Sequence, residues 1–468
     1  MTRIGVLPLG RQTFDVPFAE EMAGLAFAVL DETGAEIVGP RGLLYDAPAT
    51  QAAIETLKGE SLDLLVVMQV TFTDASMTEV VGHALDAPLA LWGFPEERTG
   101  GRLRLNSFCG INLAGHALAR IGRSYSYLYL HPSDPRAAEA VLGLVTADPV
   151  AAGAWSVPSV SGLAPEAIAR ADDVRVRLAA SRVGVIGEHP VGFVPCAYDP
   201  VEVAELVGTR VEALALPELF ARARAVDREA VAVTRQRAAA GLSGLDAVDQ
   251  VELDNSLRFL PALKTLAASG DFAGFAVRCW PECFTEYGGA LCGSAAMMNE
   301  DGIPTACEAD AYGALTALAL QWLAEGPALV ADLVEMDLAD GTGVLWHCGK
   351  GPLPMADTQG SAPVATVHSN RRKPLLNEFA FKPGRVTIAR LSQRRNEHAL
   401  VVGGGEMVRA PLAFSGTAGV IRFDRPASDV MHTIMAEGLE HHYGFVYGDV
   451  RAELHALAEG WDIPVIEL

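Results

Sequence analysis

Four acidic residues occur in two groups, each just after a short apolar segment. Glu282 and Glu286 follow the first segment, and Glu308 and Asp310 lie at the end of the second. If both segments are parallel strands, these carboxylates gather at the sheet edge where open α/β folds bind ligands. Such a group holds a divalent cation or acts as an acid/base pair. The alternative is that Asp310 caps a helix while the glutamates are solvated.

The stretch that carries these residues has the pattern strand, helix, strand, helix. Strands are predicted at 275–278 and 303–307, because short apolar runs suit buried strands. Helices are predicted at 284–298, which is rich in Ala, Leu and Met, and at 315–323, which has apolar residues at helical spacing. An Asp-Gly pair at 301–302 marks the intervening turn.

The rest of the chain extends this alternation in both directions. We predict an α/β protein with two Rossmann-like, doubly wound domains followed by an antiparallel, β-barrel-like C-terminal domain. Strand–helix alternation predicts the first two domains at 1–164 and 165–340. Short strands separated by turns rich in Gly, Pro and Asn predict the third at 341–468.

Composition limits the possible partners. Half of the 468 residues are apolar, 20% are charged, and the formal net charge is -22. Nucleic acid is excluded as a partner because phosphate binding needs a basic surface. No apolar run is long enough for a signal peptide or a membrane span, so we expect a soluble, cytoplasmic protein with no membrane partner. The seven cysteines lack the paired spacings of a zinc site and are interpreted as buried thiols.

Two loops near the amino terminus carry candidate ligand contacts. After the first strand there is only Gly10, so the dinucleotide-binding pattern of three spaced glycines is absent. Arg11 in that loop reaches a ligand or packs the loop. Asn106, just before a predicted helix, binds an oxygen-rich ligand through the helix start or serves as a plain cap.

Three features of the carboxyl-terminal third have simpler interpretations. The three glycines at 403–405 predict a hairpin turn, and the basic run at 370–373 is interpreted as solvated surface. His441 and His442 leave a predicted helix as neighbours. Because adjacent side chains point apart, only one of the two faces a site.

Together these residues resemble the L-fucose isomerase and L-arabinose isomerase superfamily, and most closely its broad bacterial branch of fucose-isomerase-related proteins. The resemblance covers nearly the whole chain. The segments that carry it are Gly5-Val6-Leu7-Pro8-Leu9-Gly10-Arg11, Cys279-Trp280-Pro281-Glu282, Ala306-Cys307-Glu308-Ala309-Asp310, Leu345-Trp346-His347-Cys348-Gly349, Lys382-Pro383-Gly384-Arg385 and Glu440-His441-His442.

The resemblance implies aldose–ketose isomerisation with a divalent metal, usually manganese. It implies a ligand set of one Glu, one Asp or Glu, and one His near the carboxyl terminus. Glu286 matches the first ligand by its spacing from Asp310 and by the glycines that follow it closely, with Glu282 as its competitor. Asp310 matches the second ligand and His442 the third. The identity of the sugar does not carry over, because this branch is divergent.

The implied chemistry moves a proton between C1 and C2 of an open-chain sugar through an enediolate. Glu286 and Asp310 are the predicted acid and base. An oxygen-rich ligand set with one imidazole suits Mn²⁺, with Mg²⁺ or Co²⁺ as alternatives. Substrate contacts are assigned to Arg11, Asn106, Trp280, Glu282, Glu308, His347 and His441.

Two alternatives and one assembly prediction accompany this interpretation. The same chemistry suits an epimerase or a lyase, and a non-catalytic sugar-binding protein would keep the pocket without the acid/base pair. The predicted ligands lie in the second and third domains, which leaves Arg11 and the 106–110 loop without a role in their own chain. With the resemblance, this predicts a homo-oligomer, a hexamer, in which a neighbour's first domain closes the site.

Overall fold

The computed structural model describes all 468 residues. Its first unit is a five-stranded parallel sheet in the order β2-β1-β3-β4-β5. The strands are β1 (Arg3–Leu9), β2 (Glu36–Val38), β3 (Leu64–Gln69), β4 (Leu89–Gly93) and β5 (Ser126–Tyr129). The helices are α1 (Val16–Glu32), α2 (Ala47–Leu57), α3 (Ala75–Ala84), α4 (Ser107–Arg120) and α5 (Ala137–Gly143). In this strand order, ligands bind beyond the carboxyl ends of β1 and β3.

The second unit is a four-stranded parallel sheet in the order β7-β6-β8-β9. Its strands are β6 (Arg182–Ile186), β7 (Arg210–Leu214), β8 (Phe272–Val277) and β9 (Thr305–Cys307). Its helices are α6 (Pro165–Ala180), α7 (Pro200–Val207), α8 (Leu216–Ala225), α9 (Arg228–Gly241), α10 (Gln250–Gly270), α11 (Cys292–Glu300) and α12 (Ala311–Ala324). The two parallel α/β units are therefore confirmed.

The third unit is a nine-stranded mixed sheet in the order β12-β13-β16-β11-β10-β17-β14-β15-β18. Its strands are β10 (Leu329–Asp337), β11 (Thr342–His347), β12 (Val364–Thr366), β13 (Leu376–Ala380), β14 (Gly384–Ser392), β15 (Ala399–Val408), β16 (Thr417–Phe423), β17 (His442–Tyr447) and β18 (Val465–Glu467). Two helices, α13 (Ala427–Glu437) and α14 (Arg451–Gly460), complete it. Most pairings are antiparallel, but β13–β16 and β15–β18 are parallel, so the third unit is a mixed sheet rather than the predicted antiparallel one, and its barrel-like closure stays a prediction.

Three local predictions differ from the structure. The glycines at 403–405 lie inside β15, paired with β14, and form no hairpin; neighbouring groups there leave no room for a side chain. A Cβ on Gly405 would lie 2.5 Å from the carbonyl oxygen of Arg422. The helix predicted at 284–298 is a π-helical turn over Cys283–Tyr287, a break, and then α11. The strand β10, which begins the third sheet, was not predicted.

Helix α4 attaches the first unit to the third. Its residues are almost all buried, and Asn112 Nδ2 donates a hydrogen bond to the carbonyl of Leu439 at 2.6 Å. The Nδ1 atom of His116 lies 2.9 Å from the carbonyl oxygen of Gly438, just after α13. Among all the helices, α1 to α14, none is both long enough and apolar enough to cross a bilayer.

His116 gives the fold a predictable pH dependence. Burial lowers the pKa of His116 to about 4, against an ordinary value of 6.5. The unfolded chain therefore takes up this proton as the pH falls below 6.5, while the folded chain resists it until about pH 4. Stability is expected to fall over this window, by about 2 kcal/mol between pH 7.5 and pH 5. Urea unfolding at the two pH values measures it.

The matched variants for this measurement are His116→Gln and His83→Gln. His83 lies exposed on α3. The His116→Gln protein should lose the share of about 2 kcal/mol that His116 contributes, and His83→Gln should keep it. An unchanged pH dependence in His116→Gln would show that other groups set the acid sensitivity.

Candidate active site

A cavity lies where the three units meet, with lining residues from each of them. The first unit contributes Arg11 and Asn106, which follow β1 and precede α4. Aromatic side chains form part of the wall, with Phe193 edge-on to Trp280 at 4.9 Å between ring centroids. The other polar or charged residues that line the cavity include Glu308, Asp332, His347, His368, Asn370, Arg371 and His441.

Glu308 enters the cavity from a strained turn at the end of β9. Its φ is 60° and that of Ala309 is 57°, a left-handed conformation that side chains other than glycine rarely adopt. Such strain is concentrated at functional sites, where the surrounding structure holds it. Trp280 Nε1 donates a hydrogen bond of 2.9 Å to Oε1 of Glu308. One carboxylate oxygen is thereby fixed, and Oε2 remains free of hydrogen bonds.

Asp332 and His442 are brought together by strand pairing. In the antiparallel pairing of β10 with β17, Asp332 lies directly opposite His442. Directly opposite residues carry their side chains on the same face, with Cβ atoms about 5 Å apart. The result is a distance of 3.2 Å between His442 Nε2 and Asp332 Oδ1.

A buried ion pair orients His442. Asp310 caps α12 by accepting a hydrogen bond of 2.9 Å from the backbone N–H of Gly313. The same carboxylate receives two hydrogen bonds from Arg390, and its Oδ2 lies 2.8 Å from His442 Nδ1. Arg390 and Asp310 are fully buried. Because Nδ1 faces Asp310, Nε2 of His442 is directed at Glu308 and Asp332.

The site keeps its acids ionised. Burial raises the pKa of Glu308, but the nearby imidazoles of His441 and His442 outweigh it and hold the pKa well below its usual range. The pKa of Asp332 is likewise lowered, against the effect of burial, by His442. Burial lowers the pKa of His442, and its bonds to Asp310 and Asp332 raise it well above the ordinary value. Both cavity carboxylates therefore carry negative charge at neutral pH.

Two carboxylate oxygens lie near one imidazole nitrogen, and each carboxylate belongs to a group that could hold a metal ion: Glu308 with His441 and His442, and Asp332 with His347 and His442. His442 Nε2 lies 3.3 Å from Glu308 Oε2 and 3.2 Å from Asp332 Oδ1. Both oxygens are buried without a hydrogen-bond partner, which is costly unless another group satisfies them. Neighbouring ligands of an octahedral ion with bonds near 2.1 Å are about 3 Å apart. The donor set of two carboxylates and one imidazole therefore fits a hard divalent cation.

Two family models match this chain. The first, described as the N-terminal domain of fucose/sulfoquinovose isomerase, matches residues 5–151, and the second, the C-terminal domain of L-fucose isomerase, matches residues 377–468. Together they cover just over half of the chain. The chain belongs to the fucose-isomerase-related family. The predicted family and enzyme class are confirmed, so this protein is an aldose–ketose isomerase.

Known relatives of this isomerase match it over their whole length. A sulfoquinovose isomerase from Alkalicoccus urumqiensis is 29% identical over 470 residues, covering 100% of both chains. A sulfoquinovose isomerase from Priestia aryabhattai is 27% identical and covers 97% of this chain and 96% of its own. One from Clostridium sp. (strain MSTE9) is also 27% identical, over 98% of this chain and 97% of its own.

The structure of the isomerase does not place the two predicted glutamates in its cavity. Glu286 is exposed on the π-helical turn, where only its backbone carbonyl is engaged, by Arg224. Glu282 forms an ion pair of 2.6 Å with Arg278 outside the cavity. Asp310 and His442 are adjacent, as predicted. The carboxylate of Asp310, however, accepts hydrogen bonds from Arg390 and from the backbone N–H of Gly313 at the start of α12. The predicted pairing of Glu286 with Asp310 and His442 is thus not seen.

Most of the predicted substrate contacts lie together in one cavity. Arg11, Asn106, Trp280, Glu308, His347 and His441 all line the cavity. Arg11 and Asn106 reach it within their own chain, so they are not without a role there, and closure of the site by a neighbour's first domain stays a prediction. The homo-oligomer itself stays a prediction.

Two cavity residues were missed by sequence reasoning. Asp332 lies in the apolar strand Leu329–Asp337, and a charged residue inside such a run is a signal of function. It follows Glu308 at the same separation at which Asp310 follows Glu286, so the spacing fits both pairs. Arg371 was interpreted as solvated surface, but it lines the cavity with Asn370.

Proposed function

We propose that this isomerase holds one divalent cation, Mn²⁺ or else Mg²⁺ or Co²⁺, between Glu308, Asp332 and His442, and converts sulfoquinovose to its ketose. The convergence of Glu308 Oε2 and Asp332 Oδ1 on His442 Nε2 is the observation that carries the proposal. The name of the relatives supports the choice of substrate. When bound, the cation would stabilise negative charge that develops on the sugar oxygens.

The residues around the proposed cation site transfer the protons and hold one another in position. Isomerisation moves one proton from C2 to C1 and a second from the C2 hydroxyl to the carbonyl oxygen. Glu308 and Asp332, both ionised, accept and return these protons through an enediolate. Trp280 fixes Glu308 by its indole N–H, and Asp310 fixes the ring of His442. The aromatic wall of Phe72, Phe193 and Trp280 limits water around the reacting carbons.

Turnover in D₂O tests the proton-transfer route. A proton held by a carboxylate exchanges with solvent, so we expect deuterium at C1 of the ketose and at C2 of the recovered aldose. Proton NMR of the product measures both positions.

The control is the same sugar incubated in D₂O with heat-inactivated enzyme, which corrects for spontaneous enolisation. If product made over many turnovers contains no solvent deuterium, hydrogen moves without leaving the substrate. That result would contradict the assignment of a proton-carrying carboxylate.

A further inference from the structure

Two arginines from different units flank one indole ring in the cavity. The guanidinium carbon of Arg11 lies 4.8 Å from the ring centroid of Trp280, and that of Arg371 lies 5.7 Å from it. Arg11 follows β1 in the first unit, and Arg371 lies in the turn before β13 in the third. Both line the cavity that contains the acidic ligands.

Arg371 has no ion-pair partner, and Arg11 has only one long ion pair. The nearest carboxylate to Arg11 is Asp74, with 3.9 Å between Nη2 and Oδ2, and Arg371 forms no ion pair and no side-chain hydrogen bond. Burial lowers the pKa of both groups, and Arg11 further lowers that of Arg371. Burial also lowers the pKa of the neighbouring His368 to about 3, an effect that Arg371 enhances. This corner of the cavity has an excess of positive charge.

The turn that carries Arg371 is held in place from the first unit. Arg102 donates one hydrogen bond of 2.9 Å to Asn370 Oδ1 and another of 2.7 Å to the carbonyl of Thr13. The backbone N–H groups of Asn370 and Arg371 both lie close to His368 Nδ1, at 3.1 and 3.3 Å. The guanidinium of Arg371 is therefore carried by a turn that these hydrogen bonds hold in place.

Trp280 connects this positive corner to the acidic end of the cavity. Its indole N–H is bonded to Glu308, while its ring lies under the two guanidinium groups. The indole therefore has a carboxylate at its N–H and two guanidinium groups near its ring. The cavity thus contains both negative and positive groups around Trp280.

We propose that Arg11 and Arg371 bind the sulfonate of the substrate, at the end opposite the carbonyl carbon. The inference rests on the proposed function, because it takes the reacting end of the sugar to lie at Glu308 and Asp332. Guanidinium groups match the oxygens of a tetrahedral anion and donate charged hydrogen bonds to them. The two arginines therefore set the preference for a sulfonated sugar over an uncharged one.

The test compares wild type with Arg11→Gln and Arg371→Gln on two sugars, sulfoquinovose and 6-deoxyglucose, which lacks only the sulfonate. Each variant should lower kcat/KM for sulfoquinovose by about 10- to 100-fold, mainly through KM, as expected for a lost charged hydrogen bond. The value for 6-deoxyglucose should change by less than about threefold. Arg41→Gln is the control, since Arg41 pairs with Asp31 on the surface. Glucose 6-phosphate shows whether a phosphate ester is accepted equally.

A binding measurement separates this inference from the proposed function. The affinity for 2,3-dihydroxypropane-1-sulfonate, which cannot be isomerised, should fall at least tenfold in Arg371→Gln and remain unchanged in Arg41→Gln. Ligand-observed NMR measures it. Equal losses on both sugars, or unchanged sulfonate binding, would overturn the subsite. Arginine-dependent binding without turnover of any aldose would instead keep the subsite and refute the proposed reaction.

Discussion

Glu308→Gln and Asp332→Asn are each expected to lower kcat by about 10²- to 10⁴-fold, the range for loss of a general acid or base. Each exchange also removes one charged oxygen from the group around His442 Nε2, so Mn²⁺ occupancy should fall as well. Steady-state kinetics together with metal analysis of the dialysed proteins measure both effects. The fold should persist, because amide and carboxylate have nearly the same volume.

Glu286→Gln decides between the two assignments of the ligand set. Glu286 is exposed and outside the cavity, so this variant should keep both its activity and its metal. A loss of Mn²⁺ from Glu286→Gln, with retention in Glu308→Gln, would reverse the assignment made from the structure.

Arg390→Met is expected to lower the free energy of unfolding by about 3–5 kcal/mol. Removal of one partner of a buried ion pair leaves the other charge less well compensated in a medium that solvates it poorly, even where, as here, a contact with His442 and a helix-cap bond remain. Here that charge is the carboxylate of Asp310, which receives two hydrogen bonds from Arg390. Urea unfolding monitored by circular dichroism measures the loss.

Arg385→Met is the matched control, because Arg385 lies on the same strand but pairs with Asp424 at the surface. Exposed pairs contribute about 1 kcal/mol or less. The double variant Arg390→Met/Asp310→Asn should recover part of the lost stability, since the uncompensated charge is gone. Equal effects of the two arginine exchanges would show that burial of the Arg390–Asp310 pair is not the cause.

The two parallel sheets could be predicted because each strand is followed by its own helix, and both signals are local in the chain. The third sheet was harder. Its strand β10 was missed although Gly326-Pro327 separates it from the preceding helix. The pairing of β10 with β17 joins residues that lie far apart in the chain, such as Asp332 and His442. The glycines at 403–405 resemble a turn in sequence, but close packing against neighbouring groups keeps them in a strand.

The site shows the same division between local and distant signals. The turn after β9 was located correctly, because acidic residues at a strand end are visible in sequence. The sequence did not identify Glu308 as the ligand in place of Glu286. Each of these glutamates is followed at the same separation by an aspartate, Asp332 after Glu308 and Asp310 after Glu286. The pairing of β10 with β17 places Asp332 beside His442. The fold of the third unit places Arg371 in the cavity, although its sequence suggests a surface residue.

The order of synthesis constrains when the cation can be captured. His442 leaves the ribosome long after Glu308 and Asp332, because the whole stretch 333–441 must be made first. At ordinary translation rates this delay is roughly ten seconds, long enough for the two parallel sheets to form first. During that interval β17 does not exist, so the carboxylates have no imidazole opposite them. For the proposed site of Glu308, Asp332 and His442, loading of the cation is therefore expected late in biogenesis, in chains whose third sheet has formed.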